Sequence, residues 1–526
     1  MAARLIGLLI VGLLSACASN SALQSPTLIP TETIPPILPS VTSAPEAARA
    51  EIEERAPSYR VAAFYYPWYG NPETDGKWIH WAQNNHLPPE DIGADYFPQL
   101  GAYSSNDPKT VIQHMEWLRQ AGIGVIITSW WGQGSREDQV VPLLLQSAEG
   151  YGIKVAFHIE PYNGRTAESL IRDISYLYEN YGSSPAFFRS NATSRYSQNS
   201  EPKGMFFVWR IGTKGAEGER VEADYWQQAL DSIHALPEGA LIIANTTQGG
   251  WIQGGHFDGL YNYATLHLEE GDGFNWARSL PADSLYVPSV IPGFSAKRVG
   301  YPETTYVPRE NGSTFQSQWT SALETGVEPA IVTITSFNEW HEGSMIEPPQ
   351  SGLSDGHGYG YADFGSLPAE GYLALTREWV DKFLAMSWPS VYRARIVITT
   401  TSDWTTLELV SGGAWIGPEL VSASPSALTA DMEAGDRFVL TQSLDDARAG
   451  SQVEMIWDVS LTNLLSGQDL TLQIDRGNIG KTKVTIFNDL GETPIEVGSF
   501  QWDQVTSDRN SHQIAIPFEL LVSQNP

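Results

Sequence analysis

The sequence predicts an α/β protein, with a (β/α)8 TIM-type barrel over residues 57–388 and an all-β sandwich over residues 389–526. Three observations carry that prediction. Eight short apolar runs recur between Val61 and Ser336, the number such a barrel needs. Amphipathic stretches separate most of them, as helices covering a parallel sheet do. Beyond Pro389 the pattern changes to alternating β-branched segments with turn residues between them. At 526 residues the chain has room for more than one unit and for a large core.

In chain order, Arg4 precedes the apolar run LIGLLIVGLL from Leu5 to Leu14, and Leu14-Ser15-Ala16-Cys17 follows. This resembles a bacterial lipoprotein signal with its lipobox, and the run is too short for a permanent membrane span. The resemblance implies cleavage before Cys17, a lipid on its thiol and anchoring at the bacterial cell surface or on a periplasm-facing membrane. An ordinary secretory signal cut nearby is the alternative. Cys17 is the single cysteine, so no intramolecular disulfide can form. Residues 18–56 follow, with six prolines from Pro26 to Pro45 among Ser, Thr and Ala. Such a segment buries too little apolar surface to offset its ordering and reads as a tether reaching on the order of 100 Å at most.

The eight runs are VAAFYY (61–66), VIITSW (125–130), VAFHIE (155–160), MFFVW (205–209), LIIANT (241–246), GLYNY (259–263), LYVPSVI (285–291) and AIVTITS (330–336). Helices are expected at PKTVIQHMEWLRQAG (108–122) and QVVPLLLQSAEGYG (139–152). The runs are apolar throughout rather than alternating, which favours a parallel sheet with both faces covered. An open doubly wound sheet is the alternative. In the C-terminal region RIVITTT (395–401), EMIWDVSL (454–461), LTLQID (470–475), KVTIFND (483–489) and HQIAIPFELLV (512–522) read as strands of the sandwich. Trp404, Trp415, Trp457 and Trp502 fall there, either as core or as sugar-stacking platforms.

Charge and composition narrow the ligand. There are 61 acidic residues against 31 basic ones, a formal net charge of -30, which repels nucleic acid phosphates and anionic lipid headgroups. Neutral partners fit better. The 18 Trp and 22 Tyr offer flat faces on which the C–H face of a sugar stacks, although a core of this size accounts for most of them.

Barrel chemistry gathers at the C-terminal ends of strands. Those ends read FYYPWYGNP (64–72), SWWG (129–132), HIEPYNGR (158–165), YNY (261–263) and SFNEWHEG (336–343), bringing aromatics and carboxylates together. The last holds Glu339 and Glu342 three positions apart. Glycosidic cleavage needs one group to protonate the departing oxygen and another to supply electrons, so two carboxyls suffice. On a helical turn, residues three apart stand roughly 5 to 6 Å from one another, a spacing that favours retention over inversion. Mutual repulsion would raise the pKa of one of them. A solvated turn is the alternative, and the flanking Asn338, Trp340 and His341 argue against it.

The stretch EPAIVTITSFNEWHEGSMIEP (328–348) closely resembles glycoside hydrolase family 99, the endo-α-1,2-mannosidases. FYYPWYGNP with KWIHW (77–81), HIEPYNGR, RENG (309–312) and YLALTREWVDKF (372–383) resemble further blocks of that family in the same order. The resemblance implies a retaining endo-acting hydrolase on a TIM barrel, with no metal or cofactor. The substrate's own 2-hydroxyl would serve as nucleophile through a 1,2-anhydro sugar. Glu339 maps to the base that deprotonates that hydroxyl and Glu342 to the acid that protonates the leaving oxygen. Tyr66, Trp81, Glu160, Tyr261 and Tyr263 match blocks around the cleaved sugar, and Asn338, Trp340 and His341 join them as expected substrate contacts. Trp130 and Trp131 resemble bacterial members that favour mannose beyond the cleaved sugar, pointing to α-mannan as substrate. One segment departs from the pattern. PGFSAKR (292–298) lacks a tyrosine hydroxyl and polar groups the family usually carries, which leaves linkage specificity open. An α-glucan hydrolase on the same barrel and a surface glycan-binding lipoprotein without catalysis remain as alternatives.

Overall fold

The computed structural model describes residues 56–388, apart from 200, 217, 264–272, 275, 278, 279, 282, 283, 303, 304 and 387, and the backbone of strands between 392 and 516. Cys17, the segment 18–55 and the side chains of 389–526, including those of Trp404, Trp415, Trp457 and Trp502, lie outside the described residues. No helix among the described residues is long and apolar enough to cross a membrane.

Residues 58–334 form a parallel barrel. Its elements are β1 (Ser58–Tyr65), α1 (Pro108–Gln120), β2 (Ile123–Trp130), α2 (Arg136–Gly150), β3 (Lys154–Ile159), α3 (Ala167–Tyr181), β4 (Lys203–Val208), α4 (Asp224–His234), β5 (Leu241–Asn245), α5 (Gly250–Gly255), β6 (Gly259–Tyr261), β7 (Leu285–Val287 and Ser289–Val290), α6 (Ser313–Leu323) and β8 (Val332–Ile334), with α7 (Gly371–Ala385) after it. The register steps from Ala62 opposite Val125 through Ile126 opposite Val155, Phe157 opposite Phe206 and Phe206 opposite Ile242. It continues with Ala244 opposite Leu260 and Leu260 opposite Tyr286. Val61 opposite Val332 and Thr333 opposite Ser289 close the circle, every pair parallel. Pro288 lacks an N–H and splits β7, so its first piece pairs with β6 and its second with β8. The Pro288 carbonyl still accepts from the Thr333 amide at 2.8 Å.

The sequence dictates these elements locally. β2 and β4 are buried along their whole length, as strands covered on both faces must be. Asp107 caps α1 from its side chain with Pro108 at the first helical position, where the missing N–H costs nothing. Ser135 caps α2, and Thr166 with Ser169 forms a reciprocal capping box on α3. Sequence and structure agree on all eight strand positions.

In the C-terminal region nine strands form two sheets. One orders 428–432, 453–461, 392–400, 482–488 and 495–502, and the other 437–443, 404–411, 470–476 and 511–516. All pairs are antiparallel except 428–432 with 453–461. Five of the strands, 392–400, 453–461, 470–476, 482–488 and 511–516, fall on runs that the alternation marked as strands. How the two sheets face each other lies outside the described residues.

Candidate active site

The residues after β8 form a closed loop rather than a helical turn. Ser336 N donates to Ser344 O at 2.9 Å, Ile346 N to Ser336 O at 2.9 Å and Glu347 N to Phe337 O at 2.9 Å, so the loop returns to its own base. Between these anchors lie only bends and turns. Within the loop Gly343 N donates to Trp340 O at 3.1 Å, closing a single turn over residues 340–343. The placement of Glu339 and Glu342 is set by the loop.

Alternate residues of that loop do different things. Asn338 faces inward, its side-chain amide accepting from Tyr66 N at 2.7 Å and donating to Tyr66 O at 3.0 Å, which extends the β1–β8 seam by one pseudo-pair. Trp340 is fully buried, its indole N–H 2.9 Å from Glu347 Oε2. Glu347, itself without exposed surface, also accepts from Tyr103 Oη at 2.8 Å and lies 3.1 Å from His114 Nε2. These buried bonds fix the loop from beneath.

Glu339, His341 and Glu342 carry the polar chemistry. The Ser336 hydroxyl accepts from Glu339 N at 2.8 Å, and Glu339 Oε1 accepts from His341 N at 3.1 Å. Burial and the Glu342 charge drive the Glu339 carboxyl well above the usual carboxylate range, against the backbone amides of His341 and Glu342 that donate to it. Glu342 is half-buried and accepts from Tyr263 Oη at 3.4 Å. Burial pushes its carboxyl up to about 7, and Glu160 adds to the rise. The pair thus holds a proton near neutrality, which neither carboxyl would keep in water.

The tyrosines around them stay neutral. Tyr66 and Tyr263 hydrogen-bond through their hydroxyls, and burial, with nearby carboxylates, raises both well above ordinary phenol values. Tyr301 responds to Glu342 and Glu339 too, rising to about 12 chiefly by burial. Both glutamates, Glu160 and these hydroxyls thus share one environment. His341 Nδ1 lies 3.6 Å from Glu339 Oε1. Burial pulls its imidazole down to about 3, so the contact joins a neutral ring to a carboxyl and is no ion pair. Two groups with unlike proton affinities, set among neutral hydroxyls and rings, can donate and accept a proton across a single bond.

Comparison with known proteins decides the class: the model of glycosyl hydrolase family 99 matches residues 57–385. The chain belongs to glycosyl hydrolase family 99. It is 34% identical over 382 residues to mouse glycoprotein endo-alpha-1,2-mannosidase, covering 64% of this chain and 78% of that one. A human glycoprotein endo-alpha-1,2-mannosidase-like protein is 33% identical over 371 residues, with 61% and 75% covered. The family 99 endo-alpha-mannosidase of Bacteroides thetaiotaomicron shares the fold at a TM-score of 0.54 and 31% identity, over 62% of this chain and 98% of that one. The protein is an endo-acting glycoside hydrolase on a parallel barrel.

Within this family 99 barrel, the residues expected to contact substrate divide into two layers. Tyr66, Glu160 and His341, at 4 to 6% exposure, and the half-buried Tyr263 and Trp131 sit with the paired glutamates or at the mouth. Glu160 accepts from Ser129 Oγ at 2.9 Å. The others lie deeper. Trp81 stacks on Tyr69 at 4.1 Å and donates to Tyr103 O at 2.7 Å. Trp130 donates to buried Asp138 at 2.8 Å, and Tyr261 Oη lies 2.6 Å from His158 Nε2. Trp81, Trp130, Tyr261, Asn338 and Trp340 have no surface open to water. Their contacts place them beneath the more open residues of the site.

Sequence reasoning missed other side chains at the rim. Trp209 is half-buried and meets Tyr263 edge-on at 4.8 Å. It closes the fourth strand run, so the rule that picked the other strand ends also covered it. Trp68 stacks on His80 at 4.7 Å and 14°. Tyr301 follows the segment that departs from the family pattern, and nothing in its local sequence marked it.

Proposed function

We propose that the protein is a retaining endo-α-mannosidase that cuts internal α-1,2 linkages of mannan or related glycans. The observation that carries this is the pair Glu339 and Glu342, close enough for the charge of one to raise the proton affinity of the other, with the Glu342 carboxyl held near 7 beside the Tyr263 hydroxyl. Relatives named glycoprotein endo-alpha-1,2-mannosidase support the linkage.

In this reading Glu339 removes the proton of the sugar's 2-hydroxyl while that oxygen attacks C1 and the C1–O bond to the leaving sugar breaks. Glu342 delivers its proton to the departing oxygen. Water then opens the 1,2-anhydro ring at C1, giving its proton to Glu342 while Glu339 returns one to O2. Two inversions leave the anomeric configuration unchanged. The roles require that the one proton the coupled pair shares rest on Glu342 and leave Glu339 ionised when substrate is bound; an ionised carboxyl of raised proton affinity is then a strong base. The axial 2-hydroxyl of an α-mannoside stands opposite its leaving group, which suits backside closure.

Half-exposed Trp131 supports a mannose beyond the cleaved sugar, and the lipobox at Cys17 with its 39-residue tether (18–56) supports a lipid-anchored enzyme working outside the cytoplasm. Incubation with α-1,2-linked manno-oligosaccharides, followed by proton NMR of the nascent anomer, tests the reading. Internal cleavage with an α product is expected. A β product overturns the mechanism, and inertness on α-mannans with cleavage of α-glucan overturns the substrate.

A further inference from the structure

Residues 291–302 and 305–307 pack as a unit that leans on the turn carrying Glu342. Ile291, Phe294 and Ala296 form their own apolar cluster with Val299, Tyr301 and Val307. Phe294 and Val307 exchange both backbone hydrogen bonds at 2.9 Å. From this unit Ser295 N donates to the carbonyl of Glu342 at 2.7 Å. Gly343, at φ +56, lies so near that an added Cβ would stand 2.5 Å from Ser295 O. A shift of residue 295 therefore shifts the backbone of Glu342.

Residue 295 is in turn held from outside. Asp95, 3% exposed, accepts from Ser295 Oγ at 2.6 Å and Lys297 N at 3.0 Å on one oxygen and from Tyr359 Oη at 2.9 Å on the other. Three donors on one buried carboxylate make a stiff junction, because each lost bond leaves a desolvated charge short of a partner. Three residues on, Arg298 is pinned to Asp91 and, at 3.2 Å, to Asp355. Its guanidinium lies over Tyr359 at 4.2 Å. The far side of the same turn is fixed by Arg309, which donates to Gly343 O at 2.9 Å and Met345 O at 2.6 Å.

We infer that Asp95 and Ser295 are positioning residues for the proton donor: the chain of bonds Asp95–Ser295–Glu342 sets where the acid's carboxyl stands relative to the leaving oxygen. This rests on the reading of Glu342 as the acid. The two residues touch no reacting atom, and their effect passes through the backbone of Glu342 and Gly343. It also gives the divergent PGFSAKR segment a task, bracing the acid.

Leaving-group dependence tests it. A good leaving group departs without a proton, so a misplaced acid costs little there and much with a poor one. The variants are Asp95→Asn and Ser295→Ala, with Glu342→Gln as reference, assayed on aryl α-manno-oligosaccharides whose phenols span a wide acidity range. Displacements well under 1 Å fit a loss in kcat of about tenfold for Asp95→Asn and about threefold for Ser295→Ala on the least acidic phenol. Both losses should shrink to within about twofold on the dinitrophenyl substrate, with KM little changed. Losses of equal size on all phenols, or none at all, overturn the inference while a steep dependence in Glu342→Gln leaves the acid reading standing. A flat response in Glu342→Gln removes the acid reading, and this inference with it. Thermal melting shows whether each variant folds, and should Asp95→Asn fail to, Ser295→Ala carries the test.

Discussion

Replacing Glu342 by glutamine should stabilise the protein in base while destroying its chemistry. A carboxyl whose pKa rises on folding binds its proton more tightly in the native state than in the unfolded chain. Folding is then favoured by acid and loses stability as pH climbs through the window between the two values. For Glu342 that window runs from 4.5 to about 7. At about 1.4 kcal/mol per pH unit, the ionised carboxyl costs the folded state up to about 3 kcal/mol above pH 7. The residue keeps part of its surface open to solvent, so this is a ceiling. Glutamine matches the shape and cannot ionise. It also relieves Glu339 of a neighbouring charge, which acts in the same direction. Urea or thermal unfolding from pH 4.5 to 8.5, read by tryptophan fluorescence, should show near-equal stability at the acid end. At pH 8 the variant should gain roughly 5 °C in Tm, with turnover of unactivated substrate down by about 10² to 10⁴. A stability difference independent of pH, or a loss at pH 8, would refute the claim that burial strains this carboxyl.

Other substitutions probe the remaining parts. Glu339→Gln should cut kcat by more than about a thousandfold for activated and unactivated leaving groups alike, since the nucleophile's proton must go in both cases; a rate recovered on dinitrophenyl substrates would show that 339 is no base. Gly343→Ala forces a side chain into a φ of +56 and against Ser295 O, so a stability loss of about 1 to 3 kcal/mol and a fall in kcat should appear in unfolding and rate assays. Trp209→Ala should raise KM about tenfold through lost stacking. Trp130→Phe, which strips the buried donor from Asp138, should lower stability by about 1 to 3 kcal/mol and leave KM alone.

Much of the barrel was readable because its signals are local. The strands of a covered parallel sheet must be apolar along their length, and Asp107, Ser135 and Thr166 announce helix starts through side-chain caps that need no distant partner. The ends of the strands pointed to the neighbourhood of the site for the same reason. Depth was not readable. Trp130 and Trp131 are adjacent and identical, yet one is fully buried on Asp138 and the other stands partly in solvent. Trp130 is covered by α2 and α3, through Asp138 and Tyr176. Likewise Glu339, Trp340, His341 and Glu342 invite a helical reading, and the bonds from Ser344 and Ile346 back to Ser336 and from Glu347 to Phe337 make a closed loop instead.

By itself the sequence determined the class of architecture, the pairing of two carboxyls at the end of the last barrel strand and the family. Each depends on residue type and spacing along the chain. Only the tertiary structure decided which aromatics keep surface open to solvent, in which direction each carboxyl is driven from its aqueous pKa, and that Asp95 bonds Ser295 while Ser295 bonds the backbone of Glu342. Burial and electric field are set by what folds over a group from elsewhere in the chain. Asp95 and Ser295 are 200 positions apart, and no local pattern encodes a contact at that distance.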